Sequence, residues 1–309
     1  MMIMRIIAFF LILWSFSVYS QVNLSDSTVQ VIAYWKKGDI RKYSVVNENI
    51  KVTGGDTVSK NYLSFDVTIN VLKQKKDSYT IKWYCDNARL SEDRIIPKEL
   101  FSYIKPEKII FKTNELGEFV EIINVNEIKD CLDKSRKLFM KFIDTLPEGL
   151  KQYMQQYDSA YNSEEGLEII MTQHIQQFHS FYGAAYKLNE RLKVNNQLEN
   201  LLGGEPFNVE VSVELEEIDQ VNDEYKLKLI QTFDQEQLRW FIIRQMELLT
   251  KGLDKEIPDF EELLTEINRE TTLETTYNNA GWLQKSVRIT DVNSKDVRQL
   301  QISTIIRKE

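Results

Sequence analysis

The stretch Leu63 to Leu72, LSFDVTINVL, decides the fold. Leu63, Phe65, Val67, Ile69 and Val71 share one face of an extended strand, and Ser64, Asp66, Thr68 and Asn70 share the other. Alternation with a period of two means a sheet with one buried and one solvated side. Working outward, Lys73 to Ser78 turn the chain, and Tyr79, Ile81, Trp83 and Cys85 repeat the pattern against Thr80, Lys82 and Asp86. Upstream, Val29 to Trp35 and Ile40 to Val46 are β-rich around a turn at Lys36 to Asp39, with Gly38 at a permissive position. Downstream, Ile109 to Lys112 and Glu118 to Ile123 read as a hairpin around Asn114 to Gly117.

The period changes at Asn124. Asn124 and Glu127 form a variant of the capping box. Ile128, Cys131, Leu132, Leu138, Phe139 and Phe142 then recur at helical spacing until Pro147. Leu150 to Tyr161 read as a second helix. Ser163 caps a third, with Glu164 and Glu165 in its first turn, an apolar face of Leu167, Met171, His174, Phe178 and Phe181, and Gly183 as terminator. Residues 187–203 are polar and read as a connector. Phe207, Val209, Val211, Val213 and Leu215 restore the strand period, and the acids between them face the lysines of the strand carrying Tyr225, Leu227 and Leu229. A helix follows over Gln235 to Lys251, with one more turn or two at Pro258 to Leu264. Hairpins close the chain, at Thr271 to Tyr277, Trp282 to Ile289 and Val297 to Ile306.

These elements predict an α+β protein: a large curved antiparallel β-sheet, a half-open barrel, wrapped around central helices. The expected organisation is a leader at residues 1–20 and one domain over 21–309, with a helical insert at about 125–200 and a second helical stretch at about 235–265. Two lobes split near residue 205 are the alternative. The leader rests on Arg5, the apolar run Ile6 to Val18 and the small residues before Gln21. That run falls short of the roughly 18 apolar residues that span a bilayer, so the mature chain is expected to be exported, periplasmic or secreted, without a transmembrane anchor.

A net charge of -8 argues against nucleic acid as a partner. The 42% hydrophobic content suits a folded chain of this length. Cys85 and Cys131 are either bridged or two buried thiols.

Chemistry is sparse. His174 and His179 are the two histidines, and a spacing of five keeps them from gripping one ion together. His174 reads as a core residue and His179 as a surface one. Such an inventory nearly removes Ser–His–Asp and Cys–His mechanisms. No GxSxG, P-loop, GxGxxG or HExxH pattern occurs. Paired carboxylates remain, at Glu164/Glu165, Glu210/Glu214/Glu216, Asp254/Glu256 and Glu261/Glu262, each set on a polar face or at a helix start. No catalytic, cofactor-binding or metal residue is therefore assigned, and the protein is expected not to be an enzyme. A carboxylate-dependent glycan hydrolase stands third among the readings.

The order of exported leader, hairpins, central helices and hairpins again resembles the half-barrel LolA/LolB/LppX-like carriers of the bacterial envelope. It is also similar to uncharacterised exported bacterial proteins that share Tyr34-Trp35-Lys36-Lys37-Gly38-Asp39 and Gly281-Trp282-Leu283. The resemblance implies an apolar groove between sheet and helices. The leading expectation is an envelope protein that binds an apolar ligand or lipid-linked partner, with Trp83, Phe139, Phe178, Trp240 and Trp282 as the candidate ligand-binding residues. A structural module that meets envelope proteins through its outer face or sheet edge is the alternative.

Overall fold

The computed structural model describes residues 21–91, 108–161, 163–252, 267–295 and 297–308. The expected leader and the Pro258 to Leu264 turn lie outside the described residues. The chain begins with short strands β1 (Val22–Asn23) and β2 (Thr28–Gln30). Long strands follow: β3 (Ile40–Thr53), β4 (Asp56–Gln74), β5 (Ser78–Leu90), β6 (Lys108–Asn114) and β7 (Phe119–Ile122). Helices α1 (Val125–Ile143), α2 (Glu148–Tyr161) and α3 (Glu164–His179) come next, then β8 (Ala185–Lys187), β9 (Arg191–Leu198), β10 (Phe207–Asp219) and β11 (Glu224–Phe233). Helix α4 (Gln235–Gly252) precedes β12 (Ile267–Asn278), β13 (Leu283–Ser294) and β14 (Val297–Arg307).

Eleven strands form one antiparallel sheet in the order β7-β6-β5-β4-β3-β14-β13-β12-β11-β10-β9. The sheet is open and curved, so the predicted α+β architecture stands. Each long strand pairs with its sequence neighbour, and β14 returns to lie beside β3 in the middle. Bulges in β4, β10 and β13 help a sheet this wide to bend. A second sheet, β1-β2-β8, is small.

Two apolar clusters sit on the same inner face. The larger joins Val67, Ile69, Trp83 and Phe111 of the sheet to Ile175, Phe178 and Phe181 at the end of α3. The segment after β2 runs over this cluster rather than continuing as the expected strand to Trp35. Its backbone bonds pass to loops instead, from Val31 N to Ala184 O and from Ala33 N to Leu116 O, both 3.0 Å. Trp35 stacks on Trp282 at 4.9 Å and donates its indole N–H to Gly281 O at 3.2 Å. The two short motifs picked out in the sequence therefore meet in space. Gly281 is required there: its φ is +70°, and an added Cβ would fall 2.1 Å from Ile32 O. The smaller cluster packs Leu238 and Ile243 of α4 on Val209, Phe233 and Ile267.

Four local readings need correction. The connector at 187–203 contains β9, which gains its ladder from β10 although its own residues are mostly exposed. Helix α1 starts where expected, but Asn124 makes no side-chain cap bond; its carboxamide binds Ile110 N and Lys108 O, tying the helix start to β6. His179 is buried at 6% exposure, whereas His174 is only partly buried. The apolar ribbon is also interrupted at its centre. In β12 to β14 the inner face carries Thr271, Thr275, Ser286, Arg288, Thr290 and Ser303, while Val287, Ile289 and Ile302 point outward.

Candidate functional site

The expected ligand-binding residues do not form one surface. Trp83, Phe178 and Trp282 are at most 2% exposed in the larger cluster; Phe178 and Trp282 pack on Trp35, and Trp83 packs on Phe178. Trp240 lies on α4 with 57% exposure, away from that cluster. Phe139 falls on α1, and its side chain is outside the described residues. Within the aromatic core, His179 donates Nδ1–H to Gly117 O at 2.7 Å and is ringed by Trp35, Phe111, Phe178 and Tyr182. Burial pushes its pKa down to about 4, so the imidazole is neutral at physiological pH. Burial likewise raises the Tyr182 and Tyr277 phenols far above their usual range. The polar atoms of Trp35, Tyr182 and Tyr277 in this cage are bonded to backbone carbonyls, as in structural cores, while the buried Tyr43 hydroxyl beside Phe178 has no partner among the described residues.

A less fully buried region lies between the two clusters: Leu273, Val213 and Leu229 belong to the margin of the larger one and Val211 to that of the smaller. One register row of the inner face reads Leu192, Val213, Leu229, Leu273, Arg288 and Ser303 across six adjacent strands, β9 to β14. The next row toward the smaller cluster reads Val194, Val211, Gln231, Thr271, Thr290 and Gln301. Leu273 is buried, Val211, Val213 and Leu229 are partly buried, and Leu192 and Val194 are 43% and 46% exposed. The result is an apolar strip that opens at the β9 edge and ends against polar side chains in the middle of the sheet.

The polar end has a definite chemistry. Arg288 makes no hydrogen bond or ion pair with any of the described residues. Burial, with a smaller push from Arg269, lowers its pKa from 12.5 to about 10, which still leaves it charged at neutral pH. Beside it, the Ser303 hydroxyl and Gln177 Oε1 are buried without hydrogen-bond partners. Gln177 Nε2 is used, donating to Ser286 Oγ at 3.2 Å and Ser303 O at 3.0 Å. Asn47, paired in register with Ser303, meets His174 Nε2 through its Oδ1 at 3.1 Å. A guanidinium, a hydroxyl and a carboxamide thus occupy successive strands. Sequence reading missed Arg288 because Val287 and Ile289 flank it, and the alternation alone turns those two inward.

The carboxylates go elsewhere. Glu214 binds Arg191, Glu210 binds Lys193, and Glu216 and Glu274 share Lys226 and Lys228, all on the outer face as the strand pairing predicts. Glu164 and Glu165 have no described side chains, and Asp254, Glu256, Glu261 and Glu262 lie outside the described residues. Cys85 is buried, on the inner face of β5; the Cys131 side chain is not among those described. Among the described residues, no group of three or more His, Cys, Asp or Glu side chains is placed to share a metal ion. No described helix is long and apolar enough to cross a membrane. A cavity of about 390 Å3 lies where the α2–α3 turn meets the β9–β10 loop, lined by Ala160, Ser163, Glu199, Asn200 and Pro206.

The class defined by these features is an α+β protein built on one open, curved antiparallel sheet with helices against one face. No family model matches the chain, and no curated protein sequence does so. Among solved structures it is similar to lipovitellin, described for its lipid–protein interactions, with a TM-score of 0.42 and 9% identity over 89% of this chain. It spans 25% of the lipovitellin chain. An outer membrane channel from Pseudomonas putida F1 gives a TM-score of 0.16 and 7% identity, over 90% of this chain and 98% of that one. Likenesses of that size carry no functional argument.

Proposed function

We propose that this protein is an exported, non-enzymatic binding protein that holds an apolar, lipid-like ligand on the inner face of its sheet. The carrying observation is the strip of Leu192, Val194, Val211, Val213 and Leu229 on the helix-bearing side: the last three are only partly buried against the margins of the two cores, and Leu192 and Val194 are exposed. Apolar surface in a concave setting gains about 25 cal/mol per Å2 when a ligand removes it from water. The carrier-like order of elements fits the same reading.

Delipidated protein is expected to take up a fluorescent long-chain fatty acid saturably and to melt at a higher temperature with it. The double variant Leu192→Asp/Val194→Asp is expected to lose uptake while keeping its melting temperature within a few degrees, because both positions are solvent-exposed in the free protein. No uptake and no thermal shift in the unmodified chain would overturn the proposal. Strand addition at the β9 edge is disfavoured by Arg191 and Lys193, charges of the kind that blunt exposed edges.

A further inference from the structure

We infer that Arg288 anchors the head of this ligand, and that the ligand is a single-chain amphiphile ending in a carboxylate. The inference rests on the apolar-ligand reading above and names its chemistry.

Three observations carry it. The first is the register row: Arg288 lies opposite Leu273, which lies opposite Leu229, then Val213, then Leu192 at the open edge. Four strand intervals of about 4.8 Å set Arg288 roughly 19 Å from Leu192, the reach of an extended long acyl chain. The second is the width. Successive inner-face rows along a strand lie about 7 Å apart, and only this row is apolar from β9 to β12, because Gln231 and Thr271 interrupt the next. One acyl chain fits such a track, and two side by side do not. The third is the head site. Arg288 offers a guanidinium fork with no carboxylate among the described residues to fill it. The neighbouring Ser303 hydroxyl is buried and free to donate, and Asn47 keeps its amide N–H groups after its Oδ1 meets His174. A planar carboxylate takes two parallel bonds from a guanidinium.

The occupancy sequence follows from these positions. The tail enters over exposed Leu192, lies along Val213 and Leu229 and passes above Leu273, which is already buried at the margin of the larger cluster, and the carboxylate stops at Arg288 with Ser303 beside it. Without a bound anion, the guanidinium has no compensating charge among the described residues. With one, it gains a partner in a setting of low dielectric.

The test uses the delipidated full chain with palmitate, the chain-matched alcohol hexadecanol, and phosphatidylcholine vesicles, each competing against a fluorescent acyl probe. Palmitate is expected to bind at least about tenfold more tightly than hexadecanol. Arg288→Met is expected to erase that preference while hexadecanol binding persists, and Arg288→Lys to restore part of it. Far-UV circular dichroism of each variant reports that the sheet is intact. Equal affinity for acid and alcohol in the unmodified chain overturns the anchor and leaves the apolar-ligand reading standing. So does a preference that survives Arg288→Met, or capture of phospholipid in place of palmitate. Failure of both palmitate and hexadecanol to bind overturns the apolar-ligand reading, and the anchor with it.

Discussion

Replacing Arg288 with methionine is predicted to stabilise the ligand-free protein. An unpaired charge inside a protein loses hydration without gaining a partner. The drop in the Arg288 pKa from 12.5 to about 10 corresponds to about 3 kcal/mol of penalty on the charged form, since each pKa unit is worth about 1.4 kcal/mol. Residual solvent contact at the side chain trims this to about 2 kcal/mol. Methionine retains most of the aliphatic stem that packs beside Leu273, so little burial is lost. At roughly 2–4 °C per kcal/mol for a chain of this size, the melting temperature rises by about 4–8 °C. The assay is thermal unfolding of delipidated protein near pH 7, with and without palmitate. Palmitate at a hundred times its dissociation constant adds about 2.7 kcal/mol to the unmodified protein and far less to the variant, so the order of stability narrows or reverses. A lower melting temperature for ligand-free Arg288→Met would refute the reasoning, because it would mean that the guanidinium has a stabilising partner.

Other consequences follow from the core. His179 has a pKa of about 4 in the folded protein and about 6.5 in the unfolded chain. The unfolded state therefore binds more protons between those values, and stability falls as pH drops from about 6.5 to about 4, by roughly 3 kcal/mol. His179→Gln keeps a donor for Gly117 O and is expected to flatten that part of the melting-temperature profile. Gly281→Ala is expected to cost at least about 2 kcal/mol in denaturant unfolding, because a φ of +70° penalises alanine and its Cβ meets Ile32 O. Asn124→Ala removes the bonds to Ile110 N and Lys108 O and is expected to lower stability by about 1–2 kcal/mol, read by the same denaturant midpoint.

Legibility in the sequence tracked how differently the two faces of a strand are solvated. In β4 to β6 one face meets the core and the other water, so Leu63 to Val71 and Tyr79 to Cys85 alternate cleanly and point as their pattern predicts. The ladder of Glu216, Lys226, Lys228 and Glu274 was foreseeable for the same reason. In β13 and β14 the pattern misleads. A bulge at Gln284, between Leu283 opposite Tyr277 and Lys285 opposite Thr276, reverses the alternation, and pairing through β14 to β3 carries it on, which leaves Arg288 and Ser303 inside and Val287, Ile289 and Ile302 outside. A one-residue shift exchanges the two faces of a strand, and local composition cannot specify which is chosen. Strand β9 was hidden because its residues, Arg191 to Leu198, bury little of their own surface and depend on β10 for their ladder. Trp83, Phe178 and Trp282 read as apolar in the sequence, but their burial depends on helix α3 lying above them, which the strand pattern does not show.

Photolabelling tests the central claim most directly, that an apolar ligand lies on the inner face between the two cores. A palmitate analogue carrying a diazirine near the middle of its chain would be bound to delipidated protein, irradiated, and its adducts mapped by mass spectrometry. The account predicts adducts on Leu192, Val211, Val213 and Leu229, suppressed by excess palmitate. Adducts concentrated on the outer face, at Ile289 and Ile302, would contradict it, as would labelling that palmitate fails to displace.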